Sequence, residues 1–228
     1  MSVRAKICGI RSEDDLAIAV AAGADAVGFI SGITHRSEDE LDANVARALS
    51  RLVPPYVTRV LVTHLQDANE ILRLADRVEA DAIQVHGEVS LETVQAVVVG
   101  ANGRQVIKAV HVTSGAALSS AVAAADICGA VHLDSRTEDR LGGTGRTHDW
   151  SVSAAIVQAL AERRCHVILA GGLTPANLAE AMSVVGPFAV DANSGLEDDR
   201  GDKSESLCNA FVSLAHSGRN LEGNRGDG

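Results

Sequence analysis

Aromatic side chains are scarce in this chain: one Trp, one Tyr and three Phe among 228 residues. Its core therefore has to be built from Ala, Val, Leu and Ile, and aliphatic runs of that kind suit parallel strands covered by helices. Basic residues are also in short supply, 20 against 30 acidic ones, for a formal net charge of −10. That balance argues against nucleic acid or an anionic membrane as a main partner. It leaves room for a phosphorylated small molecule, because backbone N–H groups at helix N-termini bind phosphate without net positive charge. Cys-x-x-Cys spacing is missing. Cys8, Cys128, Cys165 and Cys208 are scattered and read as reduced thiols, not as a disulfide frame or a zinc site. There is no signal-peptide pattern and no apolar run long enough to cross a bilayer, so a soluble, cytoplasmic protein is expected. No G-x-G-x-x-G follows the first aliphatic run, which leaves the dinucleotide-binding form of an open sheet unsupported.

What the chain does have is strand-then-helix alternation, repeated about eight times without a break in composition. Strands are expected at Val3–Cys8, Asp25–Ile30, Thr58–Thr63, Asp81–Val85, Gln105–Val110, Ala130–Asp134, Cys165–Leu169 and Phe188–Asp191. Helices are expected at Ser12–Ala22, Glu38–Leu52, from the Asp67 cap to Val78, and from Ser90 onward. Four more are expected at Ser114–Ala125, Asp149–Arg163, Pro175–Val185 and Lys203–Ala215. This count and order predict an α/β fold, a (β/α)8 TIM barrel in one domain over residues 1–216. The competing architecture is an open doubly wound sheet. The stretch 217–228 is Gly, Asn and charge, and is expected to be a disordered tail.

Barrel chemistry gathers at the C-terminal ends of the strands, and polar and glycine residues concentrate there in this chain. Gly171-Gly172 after the seventh strand, and Asn193-Ser194-Gly195 after the eighth, occupy the usual barrel phosphate position. Cys8 and Asp134, closing the first and sixth strands, are placed to move two protons across a bound sugar. That work calls for a thiol shifted below its ordinary value and a carboxyl shifted above its own. The plainer readings are a small buried hydrophobe for Cys8 and a turn or cap residue for Asp134. Lys6 shares the inward face of the first strand with Cys8, one layer deeper. There it either fills the barrel or helps hold a thiolate.

A set of ordered motifs goes further: Lys6-Ile-Cys-Gly-Ile10, Gly23-Ala-Asp-Ala-Val-Gly-Phe29, Gln84-Val-His-Gly87 and Leu133-Asp-Ser135. They continue with Gly142-Gly-Thr-Gly145, Asp149-Trp150, Leu169-Ala-Gly-Gly-Leu-Thr-Pro175, Val190-Asp191 and Ser194-Gly195. In this order the chain resembles the phosphoribosylanthranilate isomerase family of tryptophan biosynthesis. The resemblance implies an Amadori rearrangement of a 5-phosphoribosyl amine, with Cys8 as general base, Asp134 as general acid, and no cofactor or metal. It implies a substrate-binding set of Arg36, Gln84, His86, Gly143, Gly171, Gly172, Asp191, Asn193, Ser194 and Gly195, with Arg36 on the substrate carboxylate. The chain departs from the family pattern in Ser31-Gly-Ile-Thr-His-Arg36, which is shorter and lacks proline, and at His64, His111, His148 and Asn193. A same-fold isomerase, epimerase or lyase for another phosphorylated substrate therefore stays open, as does a silent phosphate-ligand binder. His35, His64 and His111 follow the second, third and fifth strands, where they would face one mouth. Isolated surface histidines are the plainer reading, and no metal site is expected. Monomer and homodimer are both compatible with the sequence.

Overall fold

The computed structural model describes residues 2–34, 38–112, 116–134 and 149–218. Eight parallel strands close into a barrel in which each pairs with the next and the first pairs with the last. They are β1 (Arg4–Ile7), β2 (Ala26–Ile30), β3 (Thr58–Thr63), β4 (Ala82–Val85), β5 (Gln105–His111), β6 (Ala130–Asp134), β7 (His166–Leu169) and β8 (Ala189–Ala192). The outer helices are α1 (Glu13–Ala21), α2 (Ala43–Leu52), α3 (Ala68–Val78), α4 (Leu91–Gly100), α5 (Ala117–Ala125), α6 (Trp150–Ala159), α7 (Leu178–Val185) and α8 (Glu205–Ser217). The expected (β/α)8 barrel is the observed fold.

Local sequence accounts for most of the boundaries. Ser12, Asp67 and Ser90 each accept a hydrogen bond from the backbone N–H three residues on, and Asp42 and Asp149 from the one two residues on. Each such cap is worth about 1 kcal/mol. Strand residues alternate between two environments. Outward side chains such as Ile7, Phe29, Leu61 and Ile83 pack under the helices in the main core. Inward ones such as Cys8, Val60, Val62, Ala82, Ile107 and Ile168 form a separate cluster inside the barrel.

Several boundaries differ from expectation, two of them with consequences. The second helix starts at Ala43, not Glu38. The Ile30 carbonyl accepts from Leu41 N–H at 2.8 Å and the Ser31 hydroxyl donates to the Leu41 carbonyl at 2.7 Å, so Leu41 is held extended until Asp42 caps the helix. The fifth strand runs one residue further than expected, so His111 belongs to it, in register with Asp134 of β6. The seventh helix starts at Leu178 because the Asn177 side chain is taken up by Thr174 N–H and the Gly172 carbonyl. Ser217, expected in the tail, is the last residue of α8. The rest of that tail, from Arg219, lies outside the described residues, as do Arg36, Gly143, His35 and His148.

Candidate active site

The inward face of β1 sets the first element of the site. Lys6 and Cys8 are two residues apart and both buried. Room for them comes from Gly28 on β2: a Cβ there would lie 2.7 Å from Cys8 Sγ and 3.1 Å from Lys6 Cε. The Lys6 ammonium donates to Asp191 Oδ2 at 2.7 Å and to Gln84 Oε1 at 2.9 Å. Asp191 Oδ2 is also met by His132 Nε2 at 2.7 Å. A buried charge is tolerable only when paired and hydrogen-bonded, and the Lys6–Asp191 pair meets that condition. Asp191 is held far below the usual carboxylate range: burial acts against its charge, but Lys6 and His132 outweigh it. Lys6 is held above 10.5 by Asp191 and Cys8 against the opposing effect of burial. Burial, against Asp191, lowers His132 below 6.5.

The same chain of groups reaches the candidate acid. Because Gln84 spends its Oε1 on Lys6, its Nε2 faces His86 Nδ1, at 3.2 Å. The network thereby assigns the tautomer: Nδ1 accepts, and the proton sits on His86 Nε2, which lies 3.3 Å from Asp134 Oδ2. Lys6, Gln84, His86 and Asp134 thus form one continuous polar line from the base of β1 to the end of β6.

The ligand-free electrostatics run opposite to the expected tuning. Burial pushes the Cys8 thiol up to about 11, with Lys6 only partly offsetting it. Burial also favours the neutral form of Asp134, but His86, His132 and His111 together hold that carboxyl below 3.8. A buried thiol loses more from leaving water than the Lys6 and Lys203 ammoniums return. A carboxylate ringed by imidazoles gains more than burial takes away.

The phosphate-site expectations fall on two loops that touch. Gly171 and Gly172 both have positive φ, at 85° and 66°, a conformation that glycine adopts without strain. A Cβ on Gly195 would lie 2.0 Å from the Leu173 carbonyl oxygen, so this glycine lets the β8 loop sit directly against the β7 loop. Ser194 is exposed and opens the short 3-10 helix Ser194–Leu196. Asn193 is differently employed: its Oδ1 accepts from Lys203 Nζ at 2.6 Å and its Nδ2 donates to Asp39 at 2.9 Å. The Nδ2 end ties the β8 loop to the β2 loop, and the Oδ1 end ties it to the start of α8.

The rim histidines are not isolated surface residues. His64 and His86 are buried and His111 is half-buried. His86 stacks on His64 at 5.1 Å between centroids, with His111 and His132 edge-on at 5.4 and 5.7 Å. His132 escaped the sequence reading, although it lies two residues before Asp134 and period-2 alternation places both inside the barrel.

Residues 5–214 match the family model described as N-(5'phosphoribosyl)anthranilate (PRA) isomerase. A curated N-(5'-phosphoribosyl)anthranilate isomerase of Halobacterium salinarum is 45% identical over 216 residues, covering 93% of this chain and 95% of its own. The crystal structure of the phosphoribosyl anthranilate isomerase from Thermotoga maritima superposes with a TM-score of 0.80 at 35% identity, covering 93% of this chain and 98% of that one. A phosphoribosyl anthranilate isomerase in complex with reduced 1-(o-carboxyphenylamino)-1-deoxyribulose 5-phosphate superposes at 0.77 with 33% identity and the same coverage.

Proposed function

The chain belongs to the N-(5'-phosphoribosyl)anthranilate isomerase family, and from that premise we propose that it performs the family's Amadori rearrangement, with Asp134 as general acid and Cys8 as general base. The observation that carries this reading is the pair itself. Both side chains lie inside the barrel, at the ends of β1 and β6, with Lys6 hydrogen-bonded to Cys8 and joined through Gln84 and His86 to Asp134.

Asp134 gives its proton to the furanose ring oxygen as the C1–O bond breaks, and the amine lone pair forms the C1=N iminium. Cys8 then takes the proton from C2, and the C–H electron pair becomes the C1=C2 bond of an enolamine. Tautomerisation of the enolamine gives the 1-amino-1-deoxyribulose 5-phosphate. The resting pair, thiol and carboxylate, carries the same number of protons as the working pair, thiolate and acid, so one internal transfer prepares both groups. The substrate's phosphate and carboxylate bring negative charge that favours a protonated Asp134. The iminium formed beside C2 favours the thiolate by the same rule, at the step that needs it.

Gly171, Gly172, Ser194 and Gly195 are the proposed phosphate contacts, through backbone N–H groups. Gln84, His86 and Asp191 orient the acid and the Lys6 ammonium, and Asn193 supports the loop that carries the phosphate contacts. The remaining contacts, Arg36 on the substrate carboxylate and Gly143, are proposed from the family pattern alone. The substrate is a phosphorylated small molecule, and a cytoplasmic location accords with a chain in which no described helix is long and apolar enough to cross a membrane.

The test is turnover of N-(5-phosphoribosyl)anthranilate, read by mass spectrometry of the product, in the purified chain and in Cys8→Ser and Asp134→Asn. Each variant should lose at least 10²-fold in kcat, the low end for a general acid or base, while binding the reduced product analogue normally. Undiminished turnover in either variant would remove that residue from the mechanism. Normal analogue binding without turnover in the unmodified chain would sink the assigned activity.

A further inference from the structure

Three strands that are neighbours in the barrel bring together side chains distant in sequence. One ligand atom each from His86, His111 and Asp134 lie within 4.8 Å of one another at the barrel mouth. We propose that these three residues bind a divalent transition-metal ion of the zinc class, and that the ion reversibly blocks turnover by occupying Asp134.

Two imidazoles and a carboxylate suit Zn2+, Co2+ or Ni2+, whereas Mg2+ and Ca2+ take oxygen ligands. His86 Nε2 and Asp134 Oδ2 stand 3.3 Å apart, longer than the 2.7–2.9 Å of a good charge-assisted hydrogen bond. It equals the edge, about 3.3 Å, of a tetrahedron with metal–ligand bonds of about 2.0–2.1 Å. His111 closes the third corner. It is half-buried at the end of β5, in register with Asp134, with its ligand atom within 4.8 Å of those of His86 and Asp134. The fourth position faces the mouth and is left to water. His64, stacked on His86, holds the plane of that ring.

The same network limits how tightly the ion is held. A metal on His86 Nε2 moves the ring proton to Nδ1, which faces the Gln84 amide nitrogen at 3.2 Å. A donor then faces a donor, whereas the second nitrogen of a ligating histidine ordinarily donates to an acceptor. The site is therefore built for a reversible occupant and not for a resident cofactor. An ion on Asp134 takes the lone pair that must carry the acid's proton, so occupancy and turnover exclude each other.

Binding is tested on the metal-free full chain with Co2+, by its visible absorption, and by displacement with Zn2+. One equivalent should bind without a thiolate charge-transfer band, and His111→Ala or the more shape-preserving His111→Asn should weaken binding at least tenfold. Gln84→Glu, whose carboxylate accepts the Nδ1 proton, should tighten it by about 10–100-fold. In the activity assay Zn2+ should inhibit the unmodified chain, with full recovery on chelation. His111→Ala should need at least tenfold more Zn2+ for the same fractional inhibition of its own metal-free rate. Absence of Co2+ binding, an affinity unchanged from the unmodified chain in both His111 variants, or a thiolate band would overturn the proposal. The inhibition arm rests on Asp134 being the acid, and the binding arm does not. A chain that binds Co2+ through His111 yet never turns over the substrate would leave the metal site standing and remove the activity.

Discussion

The protonation of Cys8 offers the sharpest quantitative test of the site. Burial holds this thiol at about 11, against an ordinary value of 9.0, so forming the thiolate costs about 3 kcal/mol more than in an unfolded chain. At pH 7.5 about one Cys8 in 3,000 is ionised. Between pH 7.5 and 9.5 the ionised fraction rises about 100-fold, where a thiol of pKa 9.0 rises only about 25-fold. Alkylation reports this directly, because the thiolate is the nucleophile. The rate of iodoacetamide labelling at Cys8, read by mass spectrometry of its peptide, should climb tenfold per pH unit through pH 9.5 without levelling. The same peptide in urea-denatured chain supplies the reference curve, levelling above pH 9. A plateau near pH 9 in the folded protein would refute the argument that desolvation outweighs Lys6. Bound product analogue should protect Cys8 and leave the denatured-chain rate unchanged.

Gly28→Ala should cut kcat at least tenfold with a small change in Tm, because its Cβ would meet Cys8 Sγ at 2.7 Å and displace the thiol; an unchanged kcat would show that the thiol needs no fixed position. Lys6→Met leaves Asp191 charged and buried with His132 as its remaining hydrogen-bond partner. It should cost about 3–5 kcal/mol in urea denaturation, much of it recovered in Lys6→Met with Asp191→Leu; a loss below 1 kcal/mol would contradict the pairing. Stability should also fall from pH 8 to pH 10. Above pH 9 the unfolded chain releases the Cys8 proton that the folded chain keeps to about 11, so the unfolded state binds fewer protons. Cys8 alone accounts for about 1.4 kcal/mol at pH 10, with Cys128 and Cys208 acting in the same direction and Lys108, lowered by burial to about 8, opposing the three thiols in part. Denaturation curves under reducing conditions check this, and equal stability at the two pH values would count against it.

Two kinds of information separate cleanly in this protein. The barrel was legible because each repeat declares itself locally. Ser12, Asp67 and Ser90 cap helices, aliphatic runs such as Val60–Val62 are buried on both faces, and these signals depend on residues a few positions apart. The misplaced start of the second helix had a non-local cause. Nothing near Glu38 announces that Ile30 and Ser31 will hold Leu41 out of the helix. Cys8 and Asp134 could be read as strand-end residues facing the mouth, since a period of two and a closed barrel suffice for that.

Their charge states could not, because ionisation depends on burial and on partners brought in from other strands. His86 and His111 reach Asp134 from the ends of β4 and β5, and Lys6 meets Asp191 across the β1–β8 seam that closes the barrel. The gathering of His86, His111 and Asp134 has the same origin: in sequence they are three unrelated residues, and parallel register makes them neighbours. The sequence by itself determined the alternation, the barrel and which side chains face inward. Only the tertiary structure decided which of those side chains touch, and therefore which of them are charged, because contact across a closed sheet is set by register between strands and not by spacing along the chain.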